Sequence, residues 1–156
     1  MQRFRVISLA GLMALAGMAT ADVTVEGPVE HGLFVSPQQE LQPGERILSR
    51  SNQSIEPTSH IQARLGTKFG MRYSLSGKRE GDTPLTLLYL TPGVVTPDGQ
   101  RHDKFEVLQK LVPDAPQDVM AFEFTERHEM VPGEWHFMVF QGDRKLLEQT
   151  FQVGAP

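Results

Sequence analysis

Two short patterns carry the side chains best suited to chemistry. His128-Glu129-Met130 and His136-Phe137-Met138 both read His-x-Met. On a strand, residues i and i+2 share a face, so each pattern presents an imidazole beside a thioether. That soft pairing suits copper(I), and it makes His128, Met130, His136 and Met138 a candidate ligand set for a metal carrier. Geometry sets a condition on it. If residues 131–134 form a simple loop between two paired strands, Met130 faces Trp135 across the ladder, while His136 and Met138 point to the other face. The two pairs then meet only through another register, a bulge, or strands in separate sheets. Met138 beside Phe140 also fits plain core packing.

Other reactive patterns are missing. His128-Glu129 opens like a zinc-protease helix, but the second His would fall at Pro132, and proline there breaks the helix. No glycine spacing matches a phosphate loop or a dinucleotide turn, and no Gly-x-Ser-x-Gly elbow occurs. A cysteine nucleophile is excluded, because the chain has no Cys. Glu126 and Glu129 are close in sequence, yet spacing alone does not set them across a cleft. His31, His60 and His102 have no partner pattern. No catalytic residue and no cofactor site is assigned, and the expectation is a protein that is not an enzyme.

The elements that must position these residues are strands. Ile61, Ala63 and Leu65 alternate with polar neighbours. So do Phe69, Met71, Tyr73 and Leu75; Met120, Phe122 and Phe124; and Leu147, Gln149, Phe151 and Val153. A period of two sends one row toward a core and the other toward water, as in antiparallel sheets packed on one face. Further strands are expected at 23–26, 32–35, 85–90 and 135–140. The last two are apolar on both faces, which marks central strands or strands with a covered outer face. Pro43-Gly44, Pro92-Gly93, Pro97-Asp98-Gly99 and Pro132-Gly133 punctuate the runs. Gly142-Asp143 suits a two-residue hairpin turn within the hairpin 135–153. Residues 41–59 read as a polar loop or an irregular edge strand. Asp103-x-x-Glu106 resembles a helix capping box, with Phe105, Leu108 and Leu111 three apart. Phe105 and Val107 also alternate about Glu106, and Pro113 follows, so a strand is preferred there. The expected fold is an immunoglobulin-like antiparallel β-sandwich of about seven to nine strands, with a small β-barrel as the alternative.

The N-terminus reads as an export leader. Arg3 and Arg5 precede an apolar stretch, 6–18, that is short for a membrane span, and Ala19-Thr20-Ala21 supplies a small-x-small cleavage pattern. Cleavage after Ala21 would leave residues 22–156 as a single domain, large enough to bury one core. No second apolar run follows, so no membrane anchor is expected after cleavage. A secreted domain without disulfides fits a bacterial periplasm. Lys and Arg number 15 against 19 Asp and Glu, a net charge of −4, which becomes more negative when Arg3 and Arg5 leave. The basic residues are dispersed, which disfavours nucleic acid and anionic lipid. Asn52-Gln53-Ser54 matches a glycosylation acceptor but reads as a polar loop.

Residues 63–73 (Ala-Arg-Leu-Gly-Thr-Lys-Phe-Gly-Met-Arg-Tyr) combine with Val131-Pro132-Gly133-Glu134-Trp135, and with the hairpin from Gly142 to Phe151 and Val153. Gly32-Leu33-Phe34 comes first in the order. Together they resemble the bacterial family called domain of unknown function 3859, over about His31 to Val153. The resemblance implies an all-β domain of the bacterial envelope. It transfers no catalytic or ligand residue. Read as residues, Gly66 and Gly70 flank a strand entry that suits close backbone approach. Arg64 and Arg72 lie on a polar face, open to carboxylates or an anionic ligand. Trp135 after Pro-Gly is a core anchor.

The function expected from all this is a periplasmic or secreted binding module for an envelope protein or a small ligand. An open sheet edge is one route to a partner. An exposed apolar patch, on the face bearing Leu88 and Leu90 or His136, Met138 and Phe140, is another. The copper(I) carrier is the first alternative and an enzyme with a spatially assembled site the second.

Overall fold

A computed structural model describes residues 22–35 and 54–156. Nine strands are present among them: β1 (Thr24–Val35), β2 (Ser54–Pro57), β3 (His60–Gln62), β4 (Lys68–Ser76), β5 (Leu85–Val95), β6 (Arg101–Gln109), β7 (Asp118–Glu123), β8 (Gly133–Gln141) and β9 (Arg144–Gly154). They form a four-stranded sheet, β2-β1-β4-β7, and a five-stranded sheet, β3-β9-β8-β5-β6. The two sheets bury one core between them and do not close into a barrel. Among the described residues no helix is long and apolar enough to cross a membrane.

The period-two rows build this core. Phe69, Met71, Tyr73 and Leu75 from β4 all point inward. From the other sheet come Leu85, Leu87 and Tyr89 of β5, Trp135, Phe137 and Val139 of β8, and Phe151 and Val153 of β9. Phe69 is the hub: its ring centroid lies 5.2 to 5.9 Å from those of Phe124, Trp135, Phe137 and Phe151. Offset and edge-on arrangements at this spacing are favourable beyond the area they bury. Trp135 anchors the core as expected, and its indole N–H donates to the Val131 carbonyl at 2.9 Å. At the start of the fold, Val23 is fully buried. Its N–H bonds to Gln141 Oε1 at 3.2 Å and its carbonyl accepts from Arg144.

Several elements differ from the sequence reading. Segments 23–26 and 32–35 join into the single strand β1, whose register shifts between Glu26 and Glu30 where Gly27 takes a positive φ of 70°. Pro92-Gly93 does not end β5. Thr91-Pro92-Gly93 forms a bulge between Leu90 and Val94, and pairing with β6 resumes beyond it. Proline, which has no N–H, is tolerated at such a site. The row from Ile61 stops early: Leu65 lies in a turn and is exposed. One pairing is parallel, β3 with β9, in an otherwise antiparallel set. The ambiguous segment 103–111 is strand β6 up to Gln109. Of 41–59, Ser54–Pro57 forms β2, while residues 36–53, including Asn52-Gln53, lie outside the described residues, as do residues 1–21, to which the leader expectation belongs.

Gly70 is required by close approach. A Cβ there would stand 2.0 Å from the Met120 carbonyl oxygen on β7. In the β8–β9 hairpin, Gly142 takes a φ of 58° between the paired Gln141 and Arg144, as the first central position of a type II′ turn requires.

Candidate functional site

The outer face of the five-stranded sheet collects the residues left over from the core. In β5 and β8, inward residues are buried while Thr86, Leu88, Leu90, His136, Met138 and Phe140 turn outward and are half-buried. Register sets them side by side: Thr86 opposite Phe140, Leu88 opposite Met138, Leu90 opposite His136. On β6, Leu108 stands opposite Thr86 and is 74% exposed. The result is an apolar patch across the two central strands with an uncovered Leu at its rim.

Charges border the patch on both sides. On β6, Lys104 and Glu106 stand opposite Leu90 and Leu88 and approach each other to 3.5 Å. On β9, Glu148 accepts from Lys145 at 2.8 Å and lies 2.7 Å from His136 Nε2. The Lys145 ammonium, and then the His136 ring, hold the Glu148 carboxyl below the usual glutamate range. Such exposed pairs contribute little stability, but they fix the rim of the patch.

The four candidate metal ligands are split by this arrangement. β7 and β8 belong to different sheets, so the chain crosses between sheets over residues 124–132, and residues 131–134 do not close a hairpin. Residues 127–129 form a 3₁₀ turn, closed by Glu129 accepting from the Glu126 N–H at 2.7 Å. His128 sits in that turn, and Met130 ends it and packs against the core. Only the second pattern lies on a strand, and it puts His136 and Met138 on the outer face, opposite to the side on which Met130 packs. Among the described residues, no three His, Asp or Glu side chains converge as a metal site.

The remaining histidines and arginines have local partners or face water. His31 lies 3.5 Å from Ser59 Oγ and edge-on to Phe151. His102 stacks on Phe105 at 5.6 Å. His60 and Arg64 are exposed, and Arg72 bonds Glu30 at 2.7 Å.

A family model described as domain of unknown function DUF3859 matches residues 22–153. The chain belongs to the DUF3859 family. This DUF3859 chain is also similar to a solved structure, a crystal structure of an immunoglobulin-like protein from Pseudomonas aeruginosa. The two are 64% identical with a TM-score of 0.75, over 87% of this chain and 99% of the other. The immunoglobulin-like sandwich expected from the strand pattern is therefore the fold. Among curated proteins none matches this chain.

One polar cluster of the DUF3859 chain has no signature in the sequence. The Lys78 and Asp118 side chains are 4% and 7% exposed and meet at 3.2 Å, and Lys78 Nζ also donates to the Ala115 carbonyl at 2.6 Å. Tyr73, opposite Asp118 on β4, is buried, and among the described residues its hydroxyl has no hydrogen-bond partner. Burial, followed by the nearby Asp118 carboxylate, pushes the Tyr73 phenol far up. Burial also raises Tyr89 to about 12, and its hydroxyl donates to the Ala121 carbonyl at 2.9 Å. Both phenols stay protonated at neutral pH, so neither serves as a base or nucleophile there. Lys78 and Asp118 are 40 residues apart, and no local spacing announces such a pair. Leu108 did have a signal: once Phe105 and Val107 take the inner row, Leu108 must face outward.

Proposed function

We propose that this protein is an exported, non-enzymatic binding module that holds an apolar segment of an envelope protein, or a small apolar ligand, against the outer face of its five-stranded sheet. The observation that carries the reading is the patch of Leu88, Leu90, Met138 and Phe140, with Leu108 bare at its edge. Sheet faces turned to water ordinarily alternate toward polar residues, and a grouped apolar face marks a contact surface. The charged borders supply the polar rim that surrounds the apolar centre of a binding surface. The leader-like pattern of residues 1–21 supports a periplasmic location. The net negative charge with dispersed Lys and Arg argues against nucleic acid as the partner.

The test is site-specific photocrosslinking in the native bacterium. A crosslinking residue at position 138 is expected to give discrete adducts. One at exposed Glu123, on the opposite sheet, is expected to give none. Equal, diffuse labelling at both positions would remove the reading. Location is checked separately by fractionation and by N-terminal sequencing of the mature protein, which is expected to begin at Asp22. Recovery of an unprocessed chain in the cytoplasm would overturn the export reading.

A further inference from the structure

We infer that β6 pairs edge to edge with β6 of a second copy of this chain, antiparallel about a two-fold axis at Phe105. This goes beyond the binding role of the outer face: it concerns the free edge of β6, whose Leu108, Lys104 and Glu106 also rim the patch.

β6 ends the five-stranded sheet, and among the described residues no strand pairs with its outer edge. It is nine residues long, whereas the opposite edge strand of the same sheet, β3, has three. A long edge presents free N–H and C=O groups to another strand. The covering above and below is thin here as well. Val107 points inward yet is 46% exposed, and its outward neighbour Leu108 is 74% exposed.

Symmetry and charge then choose the register. Along an edge strand, the N–H and C=O groups of alternate residues point outward. Two identical strands paired about a two-fold axis must therefore match residues of the same parity, which places the axis at a residue. An axis at Asp103, Lys104 or Glu106 sets each of these against its own like charge. An axis at Val107 sets Lys104 against Lys110 and Glu106 against Leu108. An axis at Phe105 sets Lys104 against Glu106 of the other copy, twice, and Leu108 against His102, with no like charges opposed. Lys104 and Glu106 already lie on one face, 3.5 Å apart within the strand, and directly opposed residues across a ladder come about equally near. Axes at His102 or Leu108 also oppose no like charges within β6, but they pair only three of its residues, whereas the axis at Phe105 pairs all nine. The product is a continuous sheet of two five-stranded halves, with the two apolar outer faces on the same side.

Sedimentation velocity of the purified chain over a concentration series tests this. Wild type is expected to show a monomer–dimer equilibrium. Lys104→Glu or Glu106→Lys alone turns both symmetric contacts repulsive and is expected to weaken the dimer about tenfold or more. The double swap, Lys104→Glu with Glu106→Lys, is expected to restore it. Mixing the two single variants is expected to give a heterodimer tighter than either homodimer. Both positions are exposed, and circular dichroism confirms that each variant keeps its fold. A chain monomeric throughout, or a dimer indifferent to these charges, would overturn the inference. Adducts at position 138 that persist in Lys104→Glu would show that the outer face binds without the dimer.

Discussion

The two faces of β8 are built from alternate residues of one nine-residue strand, and they obey different rules. Trp135, Phe137 and Val139 look inward and are fully buried against the rings around Phe69. His136, Met138 and Phe140 look outward and are half-buried. Apolar residues on the inner side are explained by the core they fill. Apolar residues on the outer side have no such explanation within the described residues, and the proposed binding role accounts for that surplus. The comparison separates hydrophobicity spent on folding from hydrophobicity left for a partner.

Substitutions on the two sides should part widely. Phe137→Ala is expected to cost about 3–5 kcal/mol in urea unfolding, since it empties the space beside Phe69. A similar loss is expected from Lys78→Met, about 3–5 kcal/mol, because Asp118 is left as an uncompensated buried charge. The double variant Lys78→Met/Asp118→Leu is expected to recover most of that loss, and failure to do so would mean that the pair organises more than its own charge. On the outer side, Met138→Ala is expected to cost under about 1 kcal/mol while reducing the adducts seen by crosslinking at neighbouring Phe140. An inner-sized stability loss for Met138→Ala would erase the distinction between the faces. The smallest effect concerns Glu148. Its carboxyl is held below the ordinary value of 4.5, so the ion cluster with Lys145 and His136 contributes above that pH and is lost as pH falls through the lowered value. Carboxyl-detected NMR titration should find Glu148 titrating below the exposed glutamates, and Lys145→Ala should move it back up.

Much of the scaffold was readable because its signal is local. The Phe69-to-Leu75 row and the turn at Gly142-Asp143 each depend on a few adjacent residues, and the structure realises both. The elements misread depend on distant partners. Whether Pro92-Gly93 ends a strand or bulges it is decided by β6, which resumes pairing at His102 and Arg101. Whether the chain between β7 and β8 closes a hairpin or crosses between sheets is decided by which neighbours the two strands find, β4 in one case and β5 with β9 in the other. That crossing also separates the two His-x-Met patterns, whose likeness in sequence carries no information about sheet membership. The outer patch lay between these extremes. Leu88, Leu90, Met138 and Phe140 were legible as the second face of apolar strands, but only the register of β5 against β8 gathers them into one surface.

The clamp on Val23 bears on the order of events in the cell. Its side chain is sealed in the interior, and its amide and carbonyl are both engaged, by Gln141 and Arg144. On the leader reading of residues 1–21, the bond to be cut precedes Asp22, one residue from that anchor. A peptidase needs several residues on each side of its bond drawn out in its cleft, and after the bond the folded domain leaves only Asp22 exposed before the sealed Val23. On the leader reading, processing would then have to come before the last strands close.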